Sequence, residues 1–359
     1  MPEGRDFIDI LSVPKMTETR LYLLLEKFRN PAAIKKAPAG ELAAVVGEEI
    51  AAWVKGFKAD DRILKKYERM DELSIRVIPY YDPAYPSWLR PVSHFPTVVF
   101  VRGTILPEDE IAIGVIGTRG ATVYGKEVAE RFAAEFAGAG VTVVSGMARG
   151  IDTAAHWGAL KNGGRTIAVL GCGLDITYPP ENRELMNEII KHGAVISEFN
   201  IGTQPLAQNF PKRNRIISGL SRAIVAIEAK EKSGVMNTVN WAADQGREVF
   251  AIPGNIYART SSGTNRLIKD GAIPVTSADE VLESLGIKHV RQERSIREIV
   301  LNDEEKTLWD ILSCDPVYLD ELKERSHRPT SEILKILLGL EIKGVIRQLP
   351  GMMFVKKME

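Results

Sequence analysis

The chain has 359 residues, 45% of them hydrophobic and 26% charged, and its 47 basic and 47 acidic side chains balance to a formal net charge of zero. That length allows two or three domains, and neutrality excludes capture of nucleic acid or an anionic membrane by the field of the whole protein, so any polyanion affinity must come from a local patch. No run approaches the roughly 18 apolar residues of a membrane span, the N-terminus is charged, and Cys172 and Cys314 match no zinc or redox spacing, so the expectation is a cytoplasmic protein without metal or cofactor.

Residues 1–70 read as short helices. Leu21, Leu24, Leu25 and Phe28 recur at helical spacing, Ala43, Val46 and Ile50 continue the pattern, and Asn30-Pro31 and Pro38-Ala39-Gly40 punctuate it. The module resembles a helix-hairpin-helix or sterile-alpha-motif domain. Its Val13–Thr17 turn lacks the glycines with which such hairpins hold DNA phosphates, so a packing or partner role is expected. Residues 71–110 offer two short strands, Ile75–Ile78 and Val98–Val101, either side of a stretch rich in proline and aromatic residues that bars a long helix. They read as a lead-in pair docked on the next domain.

From 111 to 286, near-continuous apolar strands alternate with helical patterns. The strands are 111–116, 141–144, 166–170, 194–196, 223–227, 248–252 and 273–275; the helices between them include 126–136, 152–160, 184–191 and 234–245. This is the signature of a parallel sheet covered on both faces, an extended Rossmann-like α/β domain over 71–287. Such sheets hold ligands beyond the carboxyl ends of their strands. The glycine and polar residues fall there, at Gly117-Thr118-Arg119-Gly120, Ser145–Asp152, Gly171-Cys172-Gly173, Ser197-Glu198, Glu228–Gly234 and Pro253-Gly254-Asn255. Glycines in these turns would let backbone N–H groups approach an anion.

Downstream of Glu198, Asn209-Phe210-Pro211-Lys212-Arg213-Asn214-Arg215 leads into a helix. Proline suits a first helical turn, where unpaired N–H groups and the helix dipole favour an anion such as phosphate. Arg119, Arg149, Lys212, Arg213 and Arg215 are therefore expected to converge on one rim. Phe210 offers a stacking face or, equally, an anchor for the loop. No strand is followed by Gly-x-Gly-x-x-Gly and no Walker loop is present, which removes dinucleotide and nucleoside-triphosphate readings. Ser145 and Ser233 have no His–Asp partners in view, His156 sits within a helix as a buried structural histidine, and Asp152 is expected to cap that helix.

After a charged linker, 288–303, residues 304–359 read as three helices and a hairpin across Pro350-Gly351, a winged helix. Thr330-Ser331 is expected to cap the third helix. Its Glu332, Lys335, Glu341 and Lys343 cancel, so contact with a protein partner is at least as well supported as reading DNA.

The chain resembles the DprA/Smf family of bacterial DNA-processing proteins. The matching segments are Gly117-Thr118-Arg119, Ser145–Asp152 with His156, Tyr178-Pro179, Ile196-Ser197-Glu198, Phe210–Arg215, Ser233-Gly234, Gly246–Gly254 and Gly263-Thr264-Asn265. The resemblance implies single-stranded DNA binding without catalysis, loading of the RecA recombinase in natural transformation, and a homodimer. It places phosphate contacts on Arg119, Lys212, Arg213 and Arg215, with Arg149 a further candidate, Phe210 and Asn214 as sugar, base or loop partners, and Gly117, Thr118, Ser145 and Gly146 completing the DNA-binding set. Charge reversal at Arg119 or Arg213 is expected to weaken DNA binding and leave the fold intact, and the domain's distal helices are expected to form the dimer. The competing class is a phosphoribohydrolase of nucleoside monophosphates from the related Rossmann superfamily. Its Pro-Gly-Gly-x-Gly-Thr-x-x-Glu turn would fall at Ser233–Trp241, which carries no glutamate.

Overall fold

A computed structural model of the chain describes residues 2–287, 301–313 and 316–356. The expected linker up to residue 300, and Cys314, lie outside the described residues. The chain divides into two compact units, the larger holding the N-terminal helices and the sheet, the smaller residues 122–128 together with the described residues from 301 onward.

Six helices open the larger unit: α1 (Pro2–Leu11), α2 (Glu18–Phe28), α3 (Pro31–Lys36), α4 (Ala39–Val46), α5 (Glu48–Gly56) and α6 (Asp61–Glu72). Their starts follow local chemistry. Thr17 accepts the Arg20 N–H, Asn30 accepts the Ala33 N–H with Pro31 in the first turn, and Asp60 accepts from Arg62 and Ile63. Leu21, Leu24, Leu25, Ile34, Leu42 and Ile50 are buried in a cluster that also takes in Phe100, Leu170, Leu185 and Val195 of the sheet domain. The helices thus share a core with one half of the sheet, each fully buried Leu or Ile contributing about 1.5–3 kcal/mol.

Nine strands form one sheet: β1 (Arg76–Pro79), β2 (Val98–Gly103), β3 (Ala112–Ile116), β4 (Thr142–Ser145), β5 (Thr166–Val169), β6 (Ala194–Ser197), β7 (Ala223–Ala226), β8 (Glu248–Ala251) and β9 (Ile273–Pro274). Their order is β1-β2-β6-β5-β4-β3-β7-β8-β9. From β6 to β9 the pairing is parallel, and β2 joins β6 antiparallel. The lead-in pair therefore extends the sheet itself, where the sequence suggested a docked appendage. Strands β3 to β7 are buried at every position, as covering on both faces demands. The connecting helices are α7 (Val123–Gly138), α8 (Ile151–Lys161), α9 (Arg183–His192), α10 (Asn209–Leu220), α11 (Gly234–Asp244), α12 (Ser262–Lys269) and α13 (Ala278–Ser284).

The smaller unit has α14 (Asp303–Ile311), α15 (Leu319–Ser326) and α16 (Thr330–Ile342), with β10 (Val317–Tyr318), β11 (Ile346–Leu349) and β12 (Met353–Lys356) in the order β10-β12-β11. This is a winged helix around Leu308, Leu322, Ile333, Leu337, Leu340 and Phe354. The sequence places the second helix over Pro316–Arg325 and the cap of the third at Thr330-Ser331, and both starts differ. Val317 and Tyr318 pair with β12 and delay α15, and Pro329 occupies the cap position of α16 with no side-chain bond, so Thr330 is already helical. Among the described residues, no helix is long and apolar enough to cross a membrane.

Candidate nucleic-acid interface

The chain runs from β3 to β6 on one side of the sheet and from β7 to β9 on the other, so its order reverses between β3 and β7. Adjacent loops diverge at such a point and leave a crevice beyond the carboxyl ends of the strands. A cavity of about 530 Å³ lies here, lined by Gly117-Thr118-Arg119 after β3, Ala148 and Asp152 after β4, Ser233 and Gly234 after β7, and one face of α10.

That face follows from helical periodicity. Phe210, Arg213, Asn214 and Ile217 recur at i, i+3, i+4 and i+7 and line the cavity together. Lys212 and Arg215 are not part of that lining: Lys212 follows the cavity-lining Pro211 on the exposed flank of α10, and Arg215 turns to its buried side. The five cations therefore do not converge on one rim. Arg215, 5% exposed, is held by Glu198 and, at 3.0 Å, by Glu18 from α2. Burial pushes the Glu198 carboxyl up to about 7 against the pull of Arg215, and the Lys212 charge acts on Glu18 and Glu198 too. Arg215 thus clamps the N-terminal helices to the sheet domain. Lys212 is exposed. Arg149 is exposed and makes a two-pronged pair with Glu181.

Arg213 is 3% exposed and donates to the carbonyls of Gly146, at 2.8 Å, and Val169, and to Oδ1 of Asn214 at 3.2 Å. Burial draws its guanidinium down to about 10. A residue so engaged is scaffold, and charge reversal there would place a carboxylate among carbonyls and beside Asp152. The expectation that such a variant keeps the fold is corrected accordingly. Arg119, by contrast, is exposed, with its guanidinium 5.2 Å from the centre of the Phe210 ring. Arg213 sits 5.8 Å from the same ring, and Tyr178 packs on it at 5.5 Å. Phe210 is therefore chiefly an anchor that presents Arg119. Sequence reading passed over Tyr178 as a site residue, although its place after β5 was the available signal.

Three of the strand-end glycines have a different use from the one expected. A Cβ on Gly146 would come within 2.6 Å of the Arg213 guanidinium, on Gly171 within 3.1 Å of the Phe210 ring, and on Gly117 within 2.3 Å of Ile151. These positions admit the protein's own side chains. Gly146 is buried, and Ser145 is wholly buried, its hydroxyl donating to the Val115 carbonyl at 2.7 Å. Thr118 is buried, its N–H bound to the Glu228 carbonyl. Asn214 donates to Asn237 Oδ1 at 3.2 Å and to the Gly234 carbonyl at 3.4 Å, tying α10 to α11. At the start of α10, two of the backbone positions expected to face an anion offer no free N–H. The helix starts at Asn209, whose N–H already bonds the Leu206 carbonyl, and Pro211 supplies no N–H.

Asp152 does not cap α8, whose cap position is Gly150; its carboxylate instead accepts the N–H groups of Gly146 and Ala148 at 3.2 and 3.3 Å and fixes the loop after β4. His156 is fully buried with Nδ1 2.6 Å from the Thr166 hydroxyl, and burial drives it down to about 3, a neutral core histidine. Cys172 is buried, its thiol pushed up to about 12 by burial.

Residues 76–286 match the family model of DNA recombination-mediator protein A, and residues 294–352 that of the DprA winged helix domain. Protein Smf of Escherichia coli is 37% identical over 290 residues, covering 79% of this chain and 78% of that protein. The chain belongs to the DprA/Smf family. The DNA processing protein DprA of Bacillus subtilis is 40% identical over 232 residues, 64% of this chain and 77% of its own. Among solved structures, DprA from Streptococcus pneumoniae superposes with a TM-score of 0.68 at 35% identity, covering 78% of this chain and 97% of its own. The Helicobacter pylori DNA processing protein A, described for its single-stranded DNA binding mode, gives 0.55 at 27% identity over 61% of this chain and 98% of its own. DprA/Smf membership makes this a DNA-processing, recombination-mediator protein, and the strand-end cavity lies within the segment matched by the mediator model.

Proposed function

We propose that this protein binds single-stranded DNA along the rim of the strand-end cavity, protects it, and loads a RecA recombinase onto it as a homodimer during natural transformation. The observation that carries the reading is Arg119, exposed at the cavity mouth and held over Phe210. A guanidinium presented in this way offers its N–H edge to a phosphate with little loss of side-chain freedom. Lys212 and Arg149 are exposed on the flanking segments and would extend the contact along a backbone, Arg149 by exchanging its partner Glu181 for phosphate. Arg213, Asn214, Phe210 and the glycines act one layer below, fixing the rim. Among the cavity-lining residues the carboxylate is Asp152, already bound to two N–H groups, which favours binding over glycosidic cleavage.

The test is a gel shift of single- and double-stranded oligonucleotides with wild type and Arg119→Glu, run beside RecA filament assembly on the same single strand. Preference for the single strand, its loss in the variant and faster filament assembly with wild type are expected. Equal affinity of wild type and variant would overturn the site, and release of adenine from AMP would put the hydrolase in its place.

A further inference from the structure

The groove's own aromatic, Phe210, is already covered by Arg119, Arg213 and Tyr178. Bases of a strand lying on that rim need another face. One stands at the next strand end. After β8 the chain forms a tip in which Ile256 is 78% and Tyr257 90% exposed. The hydrophobic effect gives folding no reason to put them there.

The tip is built rather than loose. The Tyr257 N–H donates to Asn255 Oδ1 at 2.9 Å, and the N–H groups of Ala258 and Ser261 donate to the carbonyls of Asn255 and Ala258. Behind it, Asn265 clasps Gly254 through both its amide atoms, at 3.1 and 2.9 Å. Gly254 is required, since a Cβ would meet the Ser261 hydroxyl at 2.2 Å. A ring on so fixed a turn has already lost most of the backbone freedom that binding would otherwise remove.

The tip is also continuous with the groove. The Ala229 N–H donates to the Thr260 carbonyl at 2.7 Å, the Gly263 N–H to the Ala229 carbonyl at 2.8 Å, and the Glu231 N–H to the Ser262 hydroxyl at 3.3 Å. The segment so bound, 229–231, runs directly into Ser233 and Gly234 of the cavity wall. Strands β7 and β8 are neighbours, about 5 Å apart, so the tip prolongs the same rim. Lys230, Lys232 and Arg259 are exposed along it, while Glu231 is occupied by Arg266 at 2.8 Å.

We propose that Tyr257 is a base-stacking subsite for single-stranded DNA leaving the groove, with Lys230, Lys232 and Arg259 beside it for the backbone. The inference rests on the proposal that the cavity rim binds single-stranded DNA. Stacking on one aromatic tolerates any base and typically changes affinity by roughly five- to hundredfold on removal.

The test measures binding of an oligo-dT and of an abasic oligonucleotide of equal length by wild type, Tyr257→Ala, Tyr257→Phe and Arg119→Glu, with sedimentation of each free protein. Tyr257→Ala should weaken oligo-dT binding at least about fivefold, Tyr257→Phe should bind like wild type, and the abasic strand should not distinguish the three. The salt dependence should be unchanged in Tyr257→Ala, because no phosphate contact is lost. If Tyr257→Ala binds oligo-dT like wild type while Arg119→Glu does not, the subsite is refuted and the groove stands. If Arg119→Glu also binds normally, the groove reading has failed. A change in the sedimentation of Tyr257→Ala would overturn the proposal by making the tip a contact between copies of the chain.

Discussion

Replacing Arg213 with alanine removes a guanidinium that holds together the loop after β4, the end of β5 and the start of α10. Its acceptors, the carbonyls of Gly146 and Val169 and Oδ1 of Asn214, would lose their donor inside the protein. An unsatisfied buried acceptor costs about 1–3 kcal/mol, and removing one partner from a buried charge arrangement typically costs about 3–5 kcal/mol. These overlap, so about 3–5 kcal/mol in total is expected. At about 2–4 °C per kcal/mol for a unit of this size, the unfolding midpoint should fall by roughly 6–20 °C. Arg119→Ala, at an exposed position, should stay within about 0.5 kcal/mol of wild type. Thermal and urea unfolding of both variants measure this directly. An Arg213→Ala protein that unfolds at the wild-type midpoint would refute the assignment of Arg213 as scaffold.

Three further outcomes follow from the same geometry. Gly146→Ala drives a methyl to 2.6 Å from the Arg213 guanidinium, whereas Gly171→Ala meets the Phe210 ring at 3.1 Å and needs only a shift of a few tenths of an ångström; urea midpoints should show the larger loss for Gly146→Ala, and equal losses would contradict the packing described. Glu198 is raised to about 7 in the folded protein, chiefly by burial, from a usual carboxylate value of 4.5. The folded state therefore holds the proton more tightly, and the stabilisation linked to it is complete below about 4.5 and is lost as pH rises through about 7. Denaturant midpoints between pH 5 and 8 should fall for wild type and flatten in Glu198→Gln, and parallel curves would contradict the shift. In the winged helix, Asn302 and Glu305 exchange backbone and side-chain bonds at the start of α14, so Asn302→Ala should lower hydrogen-exchange protection there by about 1 kcal/mol.

Much of the architecture was legible because its signals are local. The apolar runs at 111–116, 141–144 and 223–227 read as strands buried on both faces, and polar residues at their carboxyl ends marked the crevice. What the sequence hid was direction. Lys212, Arg213 and Arg215 form one basic cluster on paper, but the 100° step of a helix sends Arg213 to the cavity floor and Arg215 to Glu198 and Glu18. The pattern 210, 213, 214, 217 was present in the sequence and would have separated them. The partner Glu18 lies 197 positions away, beyond the reach of any local motif. The glycines misled for a related reason: Gly146 and Gly171 are needed for close approach, but what approaches is Arg213 and Phe210. Tyr257 was invisible because exposure is a property of the fold and no motif marks it.

The central claim is that exposed cations on the strand-end rim, presented by a buried scaffold, hold a single strand of DNA. It is tested most directly by photocrosslinking a thiothymidine-substituted oligo-dT to the whole chain and mapping the linked peptides. Crosslinks within the segments 117–120, 149–150 and 210–212 are predicted, lost together in Arg119→Glu and decreasing with salt at least as steeply as three phosphate contacts require, a slope of about −2 or steeper. Crosslinks confined to the C-terminal winged helix, with none on the strand-end loops, would contradict the account.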